Sequence, residues 1–213
     1  MPTDFLFDGP EDARVTLLLA HGAGAPMDSA AMTATAKALA GAGFRVARFE
    51  FGYMAARRTG TRKPPPRAET VMPEFVAAID DLGPTNGPLI IGGKSMGGRV
   101  ASMVADAEFA AGRIAGLLCL GYPFHPPGRP QQLRTAHLIK LKTPTLICQG
   151  TRDEFGDRTE VGEYGLNDEI ELFWLEDGDH DLKPRKAISG FAAAQHLAAV
   201  AGKVREWVGR VAA

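Results

Sequence analysis

A serine between two glycines is the clearest chemical signal in this chain. The segment Gly93-Lys94-Ser95-Met96-Gly97 follows the apolar run Leu89–Ile91 and precedes a segment with helical character. In the pattern G-x-S-x-G, such a strand–turn–helix junction projects the serine hydroxyl beyond the sheet edge. The glycines leave the room that closely packed backbone on either side of the turn requires. We therefore predict that Ser95 is a nucleophile.

A serine hydroxyl is a weak nucleophile until a neighbouring base removes its proton. Two later apolar runs lead into residues that can supply the base and its partner. Pro144–Gly150 is followed by Asp153, and Ile170–Leu175 is followed by His180. An acid and then a histidine after the serine is the chain order of one known type of catalytic triad. We predict His180 as the base and Asp153 as the acid that orients it.

Other carboxylates compete with Asp153 for the role of acid. Glu154 and Asp157 lie close to it in the same loop, although their offsets from the end of the strand fit the motif less well. Three more acids crowd His180, and any of them is an alternative partner; otherwise they form a solvated acidic loop. These three are Asp177, Asp179 and Asp181.

The remaining histidines have weaker claims to the role of base. His21 precedes the serine and is expected to support a loop. His196 falls within the last helical segment, where a partly exposed surface position is the default. His125 and His137 lie in a proline-rich stretch between strands and are candidates to line the site, but no acid follows a strand near them.

A second glycine-containing turn follows the first long apolar run. His21-Gly22-Ala23-Gly24 comes directly after Val15–Ala20, and its small residues let backbone amides approach a developing oxyanion. The other amide in such a site belongs to the residue after the nucleophile. We predict that Ala23 and Met96 form the oxyanion hole. Gly24 is the alternative to Ala23 and a candidate substrate contact.

These residues need a scaffold that brings distant segments to one edge. Apolar runs alternate with helical segments along the whole chain, which predicts a mostly parallel, twisted α/β sheet with helices on both faces, in one domain spanning residues 1–213. Ligands bind such sheets at the carboxyl ends of the strands, where every candidate above lies. The predicted strands are Val15–Ala20, Phe44–Phe51, Leu89–Gly92, Ile114–Gly121, Pro144–Gly150 and Ile170–Leu175. The predicted helices are an alanine-rich segment after Ser29, Ala68–Leu82, Met96–Ala111 and about Lys186 to Val211.

Two of the loops that follow strands are unusually basic. Phe51–Arg67 and Tyr122–Lys142 together hold nine lysines and arginines and no acid. Both are expected at the catalytic edge, so we hypothesise a positive rim that attracts an anionic substrate. The alternative is that these side chains pair with the chain's acids or keep the loops solvated. The predicted substrate contacts from the rim are Arg57, Arg58 and Arg129. The second loop is too short to hold a large lid domain.

The composition excludes several classes of function. A formal net charge of −1 in 213 residues gives no overall attraction to nucleic acid or acidic membranes. No apolar run approaches the roughly 18 residues that span a bilayer, and no secretory signal is visible, so a cytoplasmic protein is expected. Cys119 and Cys148 lie in apolar runs and are predicted to be buried free thiols. Neither a zinc-ligand spacing nor a dinucleotide fingerprint is present, so no metal or cofactor is expected.

Three segments carry a family resemblance: Gly92–Arg99, Gln149–Gly156 and Gly178–His180. Together they resemble the α/β-hydrolase superfamily, over essentially the whole chain. Within it they are similar to small dienelactone-hydrolase-like proteins and to the testis-expressed and chromatin-complex relatives of that group. The resemblance implies a minimal hydrolase fold with Ser95, Asp153 and His180 as the triad. It does not imply dienelactone cleavage, because true dienelactone hydrolases use a cysteine where this chain has Ser95.

The residues and the resemblance together predict a serine hydrolase that cleaves a small-molecule ester or thioester through an acyl-enzyme. One rival is a non-catalytic binding module that keeps the fold and uses the basic rim for a protein or nucleic-acid partner. Nucleic acid is disfavoured, since the rim lacks the interleaved aromatic residues of a single-strand binder. The other rival is a cofactor-free haloperoxidase or acyltransferase that uses the same triad. Oligomeric state cannot be read from the sequence.

Overall fold

The computed structural model describes residues 2–61 and 63–212. A single seven-stranded sheet lies at the centre of this part of the chain. In chain order its strands are β1 (Phe5–Asp8), β2 (Thr16–Ala20), β3 (Arg45–Phe49), β4 (Leu89–Lys94), β5 (Gly116–Leu120), β6 (Thr145–Gly150) and β7 (Ile170–Leu175). The spatial order is β1-β3-β2-β4-β5-β6-β7, with β1 antiparallel to β3 and every other pairing parallel. Arg62, in the first basic loop, lies outside the described residues.

Helices cover both faces of the sheet. They are α1 (Ala30–Gly41), α2 (Gly52–Arg58), α3 (Met72–Leu82), α4 (Met96–Ala110), α5 (Arg158–Gly162), α6 (Lys186–Ser189) and α7 (Ala193–Val211), with 3-10 turns at Ala68–Val71 and Leu138–Lys140. Helices α3 and α4 pack on one face, and α1 and α7 pack on the other. The predicted α/β architecture is confirmed.

The apolar run of β2 is continuous because both of its faces are buried. Leu18 and Ala20 point into the core beneath α3 and α4, whereas Leu17 and Leu19 point into the core beneath α1 and α7. All four side chains are fully buried. A strand that is covered on both sides loses the alternation of polar and apolar residues that a half-exposed strand shows.

The two cysteines are free and buried, as predicted. Cys119 lies on β5 and Cys148 on the neighbouring strand β6. Burial raises the pKa of Cys148 to about 12, and the same cause raises the pKa of Cys119. Both therefore remain thiols at neutral pH, and a buried thiol is a poor nucleophile.

Several predicted boundaries were wrong for identifiable local reasons. The predicted helix Ala68–Leu82 begins as a 3-10 turn, and its α-helical part starts at Met72 because Pro73 has no amide proton and fits only the first turn. The predicted C-terminal helix is broken at Gly190, which adopts a left-handed conformation with φ 77°. Short elements were also missed. These are the edge strand β1 and the one-to-two-turn helices α2 and α5.

No lid domain is inserted between β5 and β6. The connection from β5 to β6, described in full, contains a single 3-10 turn rather than an inserted domain. This confirms the prediction that the loop is too short for one. In residues 2–61 and 63–212, no helix has the length and apolar character needed to cross a bilayer.

Candidate active site

Ser95 lies in a strained turn between β4 and α4. Its backbone has φ 51° and ψ −116°, a conformation that non-glycine residues rarely adopt and that functional sites often contain. A Cβ atom at either Gly93 or Gly97 would lie 2.4 Å from the carbonyl oxygen of Ala20 on the adjacent strand. Both glycines are therefore required by the close approach of β2, and this explains the G-x-S-x-G pattern.

His180 lies beside this turn and connects Ser95 to Asp153. Its Nε2 atom is 2.8 Å from Ser95 Oγ, and its Nδ1 atom is 2.9 Å and 3.0 Å from the two carboxylate oxygens of Asp153. The ring stacks on Phe155, with 4.1 Å between ring centroids and 30° between planes. Three side chains from the ends of β4, β6 and β7 thus form one continuous hydrogen-bonded chain.

The contacts of Asp153 define which nitrogen of His180 carries the proton. Asp153 is 1% exposed. One of its oxygens accepts a hydrogen bond from the Phe155 amide, and the other accepts one from Gln149 Nε2, both at 2.9 Å. An ionised carboxylate can only accept hydrogen bonds. In the contact between Asp153 and His180, the donor must therefore be Nδ1–H of His180. Its Nε2 atom is left free to accept the Ser95 hydroxyl proton.

Lys94 ties the loop that carries His180 to the nucleophile turn. Its ammonium donates a 2.5 Å hydrogen bond to the backbone carbonyl of His180 and lies 3.5 Å from a carboxylate oxygen of Asp181. Burial lowers the pKa of Lys94, and the nearby carboxylates of Asp181 and Asp153 oppose that shift. Lys94 therefore holds the backbone of His180 in place, and this positions the imidazole.

Ala23 and Met96, the two residues predicted to supply oxyanion amides, line the same cleft as Ser95. Met96 is the first residue of α4, where an amide has no acceptor within its own helix. In the described part of the chain, the Ala23 amide donates to no other protein group. The carbonyl of Ala23 accepts a 3.1 Å hydrogen bond from Tyr53, whose pKa is raised to about 12 by burial, so its hydroxyl stays protonated. This bond orients the peptide plane between Ala23 and Gly24, directly after the Ala23 amide.

His21 joins the loops that follow β2 and β3. Its Nδ1 atom lies 2.6 Å from the carbonyl oxygen of Gly22, and its Nε2 atom accepts a 3.2 Å hydrogen bond from the amide of Phe51. The ring is fully buried, and burial lowers its pKa, so it stays neutral. His21 thus supports the loop that presents Ala23, in line with the role expected from the sequence.

A family model for an alpha/beta hydrolase domain matches residues 13–209 of the chain. The chain belongs to the α/β-hydrolase family. The match covers every strand except β1 and every segment that supplies a residue of the site.

Solved structures share the fold of this α/β-hydrolase at low sequence identity. A lidless α/β serine hydrolase from Xanthomonas campestris is 22% identical, with a TM-score of 0.68 over 98% of this chain and 88% of that one. Dienelactone hydrolase from Anabaena variabilis is 20% identical, with a TM-score of 0.72 over 99% and 93%. Est1E from Butyrivibrio proteoclasticus is 15% identical, with a TM-score of 0.69 over 99% and 97%.

An open cleft of about 640 Å³ lies in front of the α/β-hydrolase's nucleophile turn. Its wall includes both predicted oxyanion residues and Ser95, together with Phe155 and residues of both basic loops. The cleft residues that matter below are Ala23, Ser95, Met96, Arg99, Arg134 and Phe155.

The predicted substrate contacts need correction, because the structure places all four outside the lining of this cleft. Arg57 lies over the ring of Tyr53 and donates to a loop carbonyl. Arg58 forms ion pairs with two acids, Glu50 and Asp28, as the alternative interpretation expected. Arg129 and Gly24 are exposed to solvent. Both Arg57 and Arg58 lie on helix α2, a segment that was predicted as loop.

Arg99 and Arg134 line the cleft instead, and neither was named as a candidate contact in the sequence analysis. Arg99 stood inside the recognised motif segment, four residues after Ser95, so helical spacing was a usable signal. Arg134 was one of nine basic loop residues, and nothing local distinguished it. Gln149 and Lys94 were also in motif segments, but the motif assigns no role to their positions.

The other histidines do not reach the nucleophile. His196 is buried and contacts the Leu182 carbonyl through Nδ1 at 2.9 Å, so the expected surface position was wrong. His137 lies 2.8 Å from Ser102 Oγ, but that hydroxyl donates to the Arg99 carbonyl, so the imidazole acts as donor rather than base. His125 lies 3.3 Å from Glu160.

The alternative acids have other partners, including Lys94 and Lys183 for Asp181, except Glu154, which is exposed. Asp177 pairs with Arg185 and Arg152, Asp179 accepts from backbone amides, and Asp157 caps α5. In the described residues, no carboxylate other than Asp153 forms a hydrogen bond with His180. Asp177 has φ 56° and stands three residues before His180.

The Asp177 ion pair predicts a pH-dependent contribution to stability. Hydrogen bonds from Arg185 lower the pKa of Asp177 to about 2. Its stabilisation is fully present well above the unfolded-state pKa of about 3.9, begins to fall as pH approaches that value, and is lost as pH falls through the folded value. We expect Asp177→Asn to lower the melting temperature at pH 6, and the difference from wild type to narrow at pH 4 and again at pH 3.

The control is Glu176→Gln, which removes the charge of the exposed neighbouring residue. Thermal unfolding followed by circular dichroism at the three pH values measures both variants. A melting-temperature difference for Asp177→Asn that stays constant between pH 6 and pH 3 would contradict the assignment of the ion pair.

Proposed function

We propose that this α/β-hydrolase is a serine hydrolase that cleaves carboxylic esters or thioesters of small molecules through an acyl-enzyme. Ser95 is the nucleophile, His180 the general base and Asp153 the residue that orients it. The observation that carries the proposal is the 2.8 Å contact between Ser95 Oγ and His180 Nε2 at an open cleft. The contact between the buried carboxylate of Asp153 and the other imidazole nitrogen, at 2.9 Å, also supports the proposal.

In the first half-reaction, Ser95 Oγ attacks the carbonyl carbon while its proton moves to His180 Nε2. The carbonyl oxygen becomes an oxyanion, which accepts hydrogen bonds from the amides of Ala23 and Met96. When the carbonyl re-forms, the bond to the leaving oxygen or sulfur breaks, and the imidazolium protonates that atom. Asp153 stabilises the imidazolium through Nδ1.

In the second half-reaction, water replaces the leaving group. His180 removes a proton from the water as it attacks the acyl-enzyme, and the same two amides hold the second oxyanion. Collapse releases the carboxylic acid and returns the proton to Ser95 Oγ. The absence of a lid in the described connection from β5 to β6 leaves the acyl-enzyme open to water, which favours hydrolysis over transfer to another acceptor.

Labelling with a fluorophosphonate tests this proposal. We expect the wild type to be labelled on one serine, Ser95→Ala not to be labelled, and His180→Ala to be labelled far more slowly. A panel of neutral 4-nitrophenyl esters and acyl thioesters of increasing chain length then measures the preferred leaving atom and acyl length.

Ser102→Ala is the matched control, because Ser102 is a second serine with an imidazole nitrogen 2.8 Å away. It is expected to be labelled like the wild type. Absence of wild-type labelling, or labelling that survives in Ser95→Ala, would reject the serine hydrolase and favour a binding module.

A further inference from the structure

Three arginines line the cleft beside Ser95: Arg67, which is exposed, and two partly buried arginines from different segments, Arg99 and Arg134. Arg99 lies on α4, and Arg134 lies on the loop between β5 and β6. Arg99 is already paired, since its guanidinium lies 2.7 Å from Glu69, another residue of the cleft wall. Within residues 2–61 and 63–212, no carboxylate forms an ion pair with Arg134. The pair therefore leaves about one positive charge uncompensated.

The position of Arg134 is held by buried neighbours. Its amide donates a 2.7 Å hydrogen bond to the carbonyl of Phe124, and its carbonyl accepts a 3.1 Å bond from the Tyr122 hydroxyl. Both aromatic side chains are fully buried, and their ring centroids are 4.8 Å apart. Arg134 itself is half-buried. The backbone of Arg134 is thus anchored to the core, and its side chain starts from a fixed position at the cleft wall.

The surroundings of Arg134 disfavour its positive charge. Burial, and next the positive charge of Arg99, lower its pKa. A guanidinium that is partly desolvated and repelled by another is stabilised by any anion that enters between them. Guanidinium groups are weakly hydrated and match the two oxygens of a carboxylate with paired hydrogen bonds.

Arg99 lies about one helical turn from Ser95, and Arg134 lines the same cleft. Arg99 follows Ser95 by four residues at the start of α4, which corresponds to about 6 Å along the helix axis and to the same face. Apolar atoms of Phe155 and Pro123 also line the cleft. The cleft thus combines a reactive end, an apolar wall and a cationic end.

We propose that Arg134, assisted by Arg99, forms a subsite for a carboxylate on the non-reacting end of the substrate. This inference rests on the proposed ester hydrolysis and names its substrate class: half-esters or half-thioesters of short dicarboxylic acids. An uncompensated guanidinium matches the free carboxylate of such a half-ester. The contacts differ from those expected of the basic rim, because Arg57, Arg58 and Arg129 do not take part.

The test compares two substrates that differ only in charge: the mono-4-nitrophenyl ester of adipic acid and the same compound with its free carboxylate methylated. Arg134→Gln is expected to lower kcat/KM for the anionic ester about 10-fold to 100-fold and to leave the neutral ester within about twofold, since hydrogen bonds to charged groups have this magnitude. Arg134→Lys should recover only part of the loss, because a lysine cannot form the paired hydrogen bonds.

Arg205→Gln is the control for general charge effects, because Arg205 is an exposed residue of α7 outside the cleft lining. It should not change the ratio of the two kcat/KM values. An equal fall for both substrates in Arg134→Gln would mean a structural role only, and no fall for either would mean no subsite; each result overturns the proposal.

A binding measurement separates this inference from the proposed function. In Ser95→Ala, calorimetry should find monomethyl adipate bound at least 10-fold more tightly than dimethyl adipate, and adding Arg134→Gln should remove the difference. If the wild type hydrolyses neither ester but this preference is present, the subsite stands and the hydrolase proposal fails. If active wild type shows no preference in either assay, the subsite fails alone.

Discussion

Replacing Ser95 by alanine is expected to lower kcat for a neutral 4-nitrophenyl ester by a factor on the order of 10⁴ or more. The change removes the only atom that forms the acyl bond, whereas the oxyanion amides and the cleft remain. A small residual rate above the uncatalysed reaction is expected from those amides. Steady-state kinetics at saturating ester measure the effect. The backbone of Ser95 is strained at φ 51°, so alanine does not relieve the turn and stability should change little.

The control for this prediction is again Ser102→Ala. Ser102 is buried and lies 2.8 Å from an imidazole nitrogen, as Ser95 does, but it is not part of the cleft lining. Its loss should leave kcat for the neutral ester within a few-fold. Comparable losses of kcat in both variants would indicate that a contact between serine and imidazole stabilises the fold rather than takes part in the reaction. The assignment of Ser95 as the nucleophile would then be withdrawn.

Replacing Asp153 by asparagine is expected to lower kcat for the same ester by a factor on the order of 10⁴. The reason is the set of donors around this side chain. Gln149 Nε2 donates to one carboxylate oxygen and the Phe155 amide donates to the other. An asparagine NH₂ group must then face one of these donors or face His180 Nδ1. If the NH₂ group faces His180, Nδ1 must accept its hydrogen bond, and the imidazole proton is then on Nε2. A protonated Nε2 cannot accept the hydroxyl proton of Ser95.

Gln149 is not free to rotate and accommodate the asparagine. Its Oε1 atom accepts a 2.7 Å hydrogen bond from the Tyr122 amide, and its Nε2 atom also contacts the carbonyls of Tyr122 and Gly156. A rotation of its amide group would break these bonds in a fully buried position. The wrong tautomer of His180 is therefore the expected result in Asp153→Asn.

The matched control is Glu154→Gln, because Glu154 is the adjacent acid, is exposed, and was an alternative candidate in the sequence. It should keep kcat within about twofold. Steady-state kinetics of both variants, with circular dichroism to verify folding, measure the contrast. Activity of Asp153→Asn within 10-fold of wild type, or an equal loss in Glu154→Gln, would contradict the assignment.

Both predictions concern residues whose positions followed from local sequence signals. The turn at Ser95 has two glycines because the backbone of β2 approaches each too closely for a side chain. Asp153 and His180 each follow a strand whose apolar run was readable, and parallel strands end at one edge of the sheet. The sequence thus predicted the confirmed sheet architecture and the proximity of these three residues, although their catalytic roles remain proposals.

The short elements and the substrate contacts were not predictable in the same way. Helix α2 spans seven residues, too few for a clear helical period, and its formation decided where Arg57 and Arg58 point. Their partners lie elsewhere in the chain. Arg58 is paired with Glu50 and Asp28, which the spacing of charges along the chain did not reveal.

The sequence by itself determined the alternation of the six parallel strands with the longer helices, the serine turn, and the three loop ends that meet there. Each of these depends on a few neighbouring residues and on buried apolar runs. Only the tertiary structure decided which of many basic side chains reach the cleft. Arg134 lies beside Ser95 because Tyr122 and Phe124 hold its loop. A side chain's electrostatic partner is set by through-space contacts, and no local pattern encodes them.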